Sequence, residues 1–125
     1  ALAYHYENIF FVFPPMLLAW GISLLISEIV KRPRPFETYG FKPLIHLAIK
    51  SRSFPSEHAT ISFALAALFI QDSFLTILFI LAATIVALSR VATGVHYLSD
   101  VLVGALIGFL VGKATVIASL LLFVS

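Results

Sequence analysis

Cysteine is absent from the 125 residues, which excludes disulfides and thiolate chemistry and leaves the redox compartment unreadable. Charge is scarce as well: Asp, Glu, Lys and Arg make up 11% of the chain, against about 25% in ordinary soluble domains. The sequence has no Gly-rich phosphate loop, no zinc-ligand spacing and no acidic cluster suited to a divalent metal. Metal-dependent phosphate chemistry therefore has no visible ligand set. No signal-peptide cleavage pattern, internal repeat or low-complexity linker stands out.

Apolar residues fill most of what remains. They account for 61% of positions, and mean hydropathy is +1.07. A chain this short leaves much of its surface outside any core, so a bilayer is the natural place for so much apolar area. One domain over residues 1–125 is expected. Net charge is +2, but six of the eight basic residues (Lys31, Arg32, Arg34, Lys42, Lys50 and Arg52) fall in one 22-residue stretch. Such clustering suits an anionic ligand or a lipid headgroup. Nucleic acid would call for a wider basic face on a more polar protein.

A membrane-spanning helix needs about 20 mostly apolar residues. Four spans are expected, at 9–30, 59–70, 74–88 and 96–123, giving an all-α integral membrane bundle. The second is short unless it begins near Pro55. The last is long enough to tilt or to leave the bilayer near Lys113. A short interfacial helix is expected over 43–50, where lysines flank an apolar middle. This order of spans returns segments 31–57 and 89–100 to the same membrane face. Gly104, Gly108 and Gly112 form a small-residue stripe that permits close packing, either within the bundle or between subunits as a homo-oligomer.

The polar residues on that common face suggest chemistry. Placed on one helix, His96 and Asp100 share a face. The carboxylate can then fix the imidazole tautomer and leave the other nitrogen free as a nucleophile; the plainer alternative is an acidic residue near a helix N-terminus. Arg34, in Lys31-Arg-Pro-Arg-Pro35, and Arg90, in the link that Gly94 turns into the last span, can clamp phosphate oxygens. The same basic segment would also serve as a positive flank to the first span. Ser53-Phe-Pro-Ser-Glu-His58 opens a helix whose free amides and Ser56 hydroxyl suit an anion, with His58 placed as general acid. His5 and His46 read as interface anchors, Glu28 as a structural partner of Lys31 or Arg32, and Trp20 as a lipid-facing or core residue.

Arg34-Pro35, Phe54-Pro-Ser-Glu-His58 and Ser89-Arg90 followed by His96 and Asp100 resemble the three signature motifs of the type 2 phosphatidic acid phosphatase (PAP2) superfamily. The resemblance covers about residues 27–104. It implies a six-helix membrane fold, of which the last four helices are visible, so residues upstream of Ala1 or a minimal member are expected. It implies a phosphohistidine at His96 oriented by Asp100, a leaving group protonated by His58, and oxygens held by Arg34, Arg90, Ser56 and the Glu57 amide, with no metal or other cofactor.

Two positions depart from the family pattern. Ser27 stands where the first motif normally has lysine, and Lys31 is the candidate substitute. Glu57 stands where the second motif normally has glycine, which is similar to the bacitracin-resistance branch of undecaprenyl-diphosphate phosphatases. Glu57 then helps to position a diphosphate or a water, or else simply suits a helix's first turn. The expected substrate is a lipid phosphate or diphosphate, foremost undecaprenyl diphosphate, with phosphatidic acid and phosphatidylglycerophosphate as alternatives. A vanadate-holding oxidant and a non-catalytic binder of anionic lipid are the rival classes. The expected setting is a bacterial or archaeal cytoplasmic membrane. The positive-inside rule would put the motif face in the cytoplasm, whereas the resemblance points to the outer face.

Overall fold

A mostly apolar run containing Pro14-Pro15 forms the first element, α1 (Ile9–Val30). Both prolines fall within its first two turns, and Pro15 is buried. The computed structural model describes residues 9–42 and 52–124, and no strand occurs among them. His5 and the expected interfacial helix over 43–50, with His46 in it, lie outside the described residues.

After α1 the chain turns sharply at Lys31, which takes the left-handed conformation with φ 55°. Pro35 then starts α2 (Pro35–Tyr39) at the helix position where its fixed φ suits and its missing N–H costs nothing. Gly40, at φ 72°, ends that helix and donates its N–H to the Phe36 carbonyl. After the cis Phe54–Pro55 bond, Ser56 caps α3 (Glu57–Ala67), its hydroxyl oxygen accepting from Ala59 N at 3.2 Å. Asp72 caps α4 (Ser73–Ala92) in the same way, through Leu75 N at 3.1 Å. The last helix is α5 (Leu98–Val124).

The expected count of four spans is corrected to three among the described residues. Val12–Tyr39, Ser73–Ala92 and Leu98–Leu122 are long and apolar enough to cross a membrane. Helix α3 has 11 residues, about 16 Å at 1.5 Å per residue, roughly half the hydrocarbon thickness. Its role is internal. Ala59, Thr60, Ala64, Ala66 and Ala67 are all buried, with α1, α4 and α5 packed around it. The remainder of that crossing is a turn, where Leu68 and Phe69 pack with Val116, Val12 and Leu120.

Helices α3 and α5 run side by side in the same direction. Gly104 faces Ser56 and Thr60, Gly108 faces Thr60 and Ala64, and Gly112 faces Ala64 and Ala67. Small residues four apart on both helices let the backbones touch, so a Cβ at Gly108 would overlap the Thr60 carbonyl. The stripe is used in packing within the bundle. The opposite ridge of α5, Leu98, Leu102, Leu106 and Leu110, is exposed, as are Ile77, Leu81, Ile85 and Leu88 on α4. Apolar ridges facing outward are what a lipid environment requires, and the chain is an integral membrane protein. Lys113 stays exposed in an unbroken α5.

Candidate active site

Three loops meet where α1 ends and α3 and α5 begin. Ser53 N donates to the Arg32 carbonyl at 2.8 Å, Ser56 N to the Asp100 carbonyl at 3.0 Å, and Phe36 N to the Gly94 carbonyl at 3.2 Å. Gly94 takes φ 82° and presses against the Phe41 ring, where a Cβ would clash at 2.5 Å. The turn expected at this glycine is therefore present, and it delivers Val95 and His96 into the junction.

His96 is 3% exposed. Its Nδ1 lies 2.7 Å from the Ser53 carbonyl and its Nε2 lies 3.2 Å from Arg34 Nη1. A carbonyl can only accept and a guanidinium can only donate. The two contacts together therefore describe a neutral imidazole with its proton on Nδ1 and its lone pair on Nε2. That lone pair points toward a buried cation.

The expected geometry of His96 and Asp100 needs correction. Helix α5 starts at Leu98, so His96 precedes it and the two residues do not share a helical face. The Asp100 carboxylate stands 3.7 Å from His96 Nδ1, within ion-pair reach, and the Ser53 carbonyl is the nearer partner of that nitrogen at 2.7 Å. Asp100 has closer partners as well. Fully buried, it accepts from Ser53 Oγ, from Tyr97 N at 2.7 Å and from Arg32 Nη1 at 2.7 Å. It thus fixes Ser53, whose carbonyl fixes His96, and it also caps the start of α5.

Arg34, the residue before α2, is buried, and its Nη1 also donates to the Val95 carbonyl at 3.0 Å. Arg90 sits in the last turn of α4, not in the link beyond it, because that helix runs on to Ala92. Its charge acts on both Arg34 and His58. Its Nε is buried without a hydrogen-bond partner, as is Glu57 Oε1. The other Glu57 oxygen accepts from Trp20 Nε1 at 3.2 Å, so Trp20 is tied to the site as well as facing outward. Glu57 is also among the charges felt by Arg34, Arg90 and His58. His58 keeps an open flank. The protein packed around its ring, and next the positive Arg90, hold its pKa below the ordinary 6.5.

Two further expected phosphate ligands are Ser56 and Lys31. Ser56 is fully buried and its hydroxyl oxygen caps α3 by accepting from Ala59 N. Lys31 is exposed at the end of α1, and Arg32 is the basic side chain of that segment that reaches Asp100. Sequence reasoning missed Ser53 and Arg32. Ser53 acts mainly through a backbone carbonyl, which leaves no trace in residue type. Arg32 gave a weak signal as one basic residue among several. Among the described residues no three His, Asp or Glu side chains group as a metal site would require.

Comparison with known proteins gives the family. The family model of the PAP2 superfamily matches residues 11–122, and the chain belongs to that superfamily. Over 98 residues it is 39% identical to the decaprenylphosphoryl-5-phosphoribose phosphatase of Mycobacterium tuberculosis, covering 76% of this chain and 52% of the relative. Over 100 residues it is 37% identical to the Escherichia coli K12 protein named "Putative undecaprenyl-diphosphatase YbjG", covering 74% and 50%. A crystal structure of a transmembrane PAP2 type phosphatidylglycerolphosphate phosphatase from Bacillus subtilis is similar with TM-score 0.58 and 29% identity, over 80% of this chain and 55% of that one. The chain thus spans about half the length of each of these relatives.

Proposed function

We propose that this chain carries the reaction centre of a membrane phosphatase that releases phosphate from a lipid phosphate ester or anhydride through a phosphohistidine at His96. The observation that carries the reading is the placement of His96. It is buried, with Nδ1 against the Ser53 carbonyl and Nε2 against the Arg34 guanidinium.

In this reading the phosphoryl oxygens lie against Arg34 and Arg90, with the Glu57 amide at the start of α3 beside them. Nε2 attacks phosphorus as the bond to the leaving oxygen breaks, and His58 gives that oxygen its proton. A water then attacks the phosphohistidine with His58 taking its proton, which frees inorganic phosphate and restores both imidazoles. The guanidinium groups balance the charge of the transition state. The lipid tail remains in the bilayer beside the exposed apolar ridges.

Among substrates, a polyprenyl diphosphate, with undecaprenyl diphosphate foremost, is our leading choice. Two of the relatives above carry polyprenyl substrates in their names, which supports the tail more directly than the headgroup. The test is phosphate release in detergent from undecaprenyl diphosphate, a polyprenyl-linked phosphoribose, phosphatidic acid and phosphatidylglycerophosphate. Preference for the diphosphate supports the choice, and preference for another member replaces it. Tight lipid binding without turnover on any member would establish the non-catalytic reading.

A further inference from the structure

Arg32 is the one basic residue of its segment seen to hold the buried carboxylate behind the nucleophile. Its Nη1 bonds Asp100 Oδ1 at 2.7 Å and Ser99 Oγ at 2.7 Å. Its guanidinium carbon lies 4.9 Å from the centre of the Tyr97 ring and 5.7 Å from that of Phe54, within cation–π range of both. Its own carbonyl takes the Ser53 N–H. One residue therefore touches all three loops of the junction.

We infer that Arg32 is a positioning residue for His96, acting through Asp100 and Ser53 and not on the phosphate itself. Asp100 is wholly buried, and an ionised carboxylate there needs charged or strong donors. Arg32 supplies the full positive charge. With Asp100 held, its second oxygen keeps Ser53 Oγ and Tyr97 N in place, and the Ser53 carbonyl keeps the proton on His96 Nδ1. Without Arg32 the carboxylate is left undercompensated and loosens its hold on Ser53 Oγ and Tyr97 N, so the Ser53 carbonyl is no longer fixed opposite Nδ1. The titratable groups placed about His96 are Arg34 before α2, His58 on α3 and Asp100 on α5. Of the two arginines of that segment, Arg34 meets Nε2 and Arg32 meets Asp100, so the pair divides binding from orientation. A lysine at 32 would keep the charge but lose the planar fit between the rings.

The experiment rests on the phosphatase reading for its kinetic arm. Arg32→Ala is expected to lower kcat by about 100-fold, the scale of a small misplacement of a reacting group, with KM changed less than about threefold. Arg32→Lys is expected to recover part of that loss. Because Arg32 acts through Asp100, Arg32→Ala added to Asp100→Asn should lower kcat little further. Arg52→Ala, an exposed basic residue of the adjoining segment, should leave kcat unchanged. A loss confined to KM, an additive double variant, or an equal loss in Arg52→Ala would overturn the inference. Nitrogen NMR of the His96 ring in the full chain reads the same claim without turnover. The Nδ1-protonated tautomer should dominate in the parent protein and become mixed in Arg32→Ala, and an unchanged ring spectrum would also overturn it. If the parent releases no phosphate from any lipid, the phosphatase reading fails while the ring spectrum still decides the role of Arg32.

Discussion

His96 is buried without being part of a helix, which lets its chemistry be tested apart from the fold. His96→Ala should lower phosphate release by at least about 1,000-fold, the scale seen when a catalytic nucleophile is removed. Its thermal unfolding should stay close to the parent's, and full activity in a folded variant would sink the mechanism. His58 makes a pH prediction. It must carry a proton to act as acid, and burial together with Arg90 lowers its pKa below 6.5 in the free protein. Hence kcat/KM should fall as pH rises through that lowered value. A bound phosphate anion favours the protonated ring, so the matching limb in kcat should lie at higher pH. Coincident limbs in the two profiles would count against His58 as the acid. Glu57 places a negative charge among the cations meant for phosphate. Glu57→Gln should tighten inhibition by vanadate about fivefold, the factor for roughly 1 kcal/mol of partly screened charge, and weaker inhibition would show that the carboxylate assists binding.

At the scale of elements, the contact between α3 and α5 sets the site, because the first turn of α3 and the start of α5 carry Ser56 and Asp100. Gly108→Ala pushes a methyl into the Thr60 carbonyl, and overpacking of this kind costs about 1–3 kcal/mol. A lower melting temperature together with reduced turnover is expected, since the displaced α3 carries His58 and Glu57. Gly21 on α1 is the contrast. A Cβ there meets nothing within 4 Å, so Gly21→Ala should be neutral or gain up to about 1 kcal/mol from helix propensity. Equal melting temperatures for the two variants would argue against the close contact.

For the whole molecule, three helices among the described residues are long and apolar enough to cross a membrane and pack around one short inner helix, and the candidate site residues gather where α1 ends and α3 and α5 begin. A transition state held by guanidinium groups needs no divalent ion from the medium. Phosphate release should therefore continue in excess EDTA and stop with vanadate, which mimics five-coordinate phosphorus. Loss of activity on chelation, restored by one metal, would replace the arginine clamp with a metal-assisted scheme.

Much of this was legible in the residues. Hydropathy is additive along a chain, so the ends of α1 and the membrane setting followed from composition alone. The turn at Gly94 also followed from residue type, because few other residues accept a positive φ. The meeting of Arg34 with His96 followed from counting crossings. The tertiary structure decided which partner each group took. Helix α3 proved too short to span because it ends at Ala67 in a turn that packs on α5. Ser56 caps α3, and Asp100 has closer partners than His96. The nearer partner of the imidazole Nδ1 is a carbonyl that every residue possesses, so only the path of the backbone could select Ser53. The choice of Arg32 over Lys31 has a similar cause: neighbouring basic residues look alike in sequence, and the sharp turn at position 31 decides which one faces Asp100.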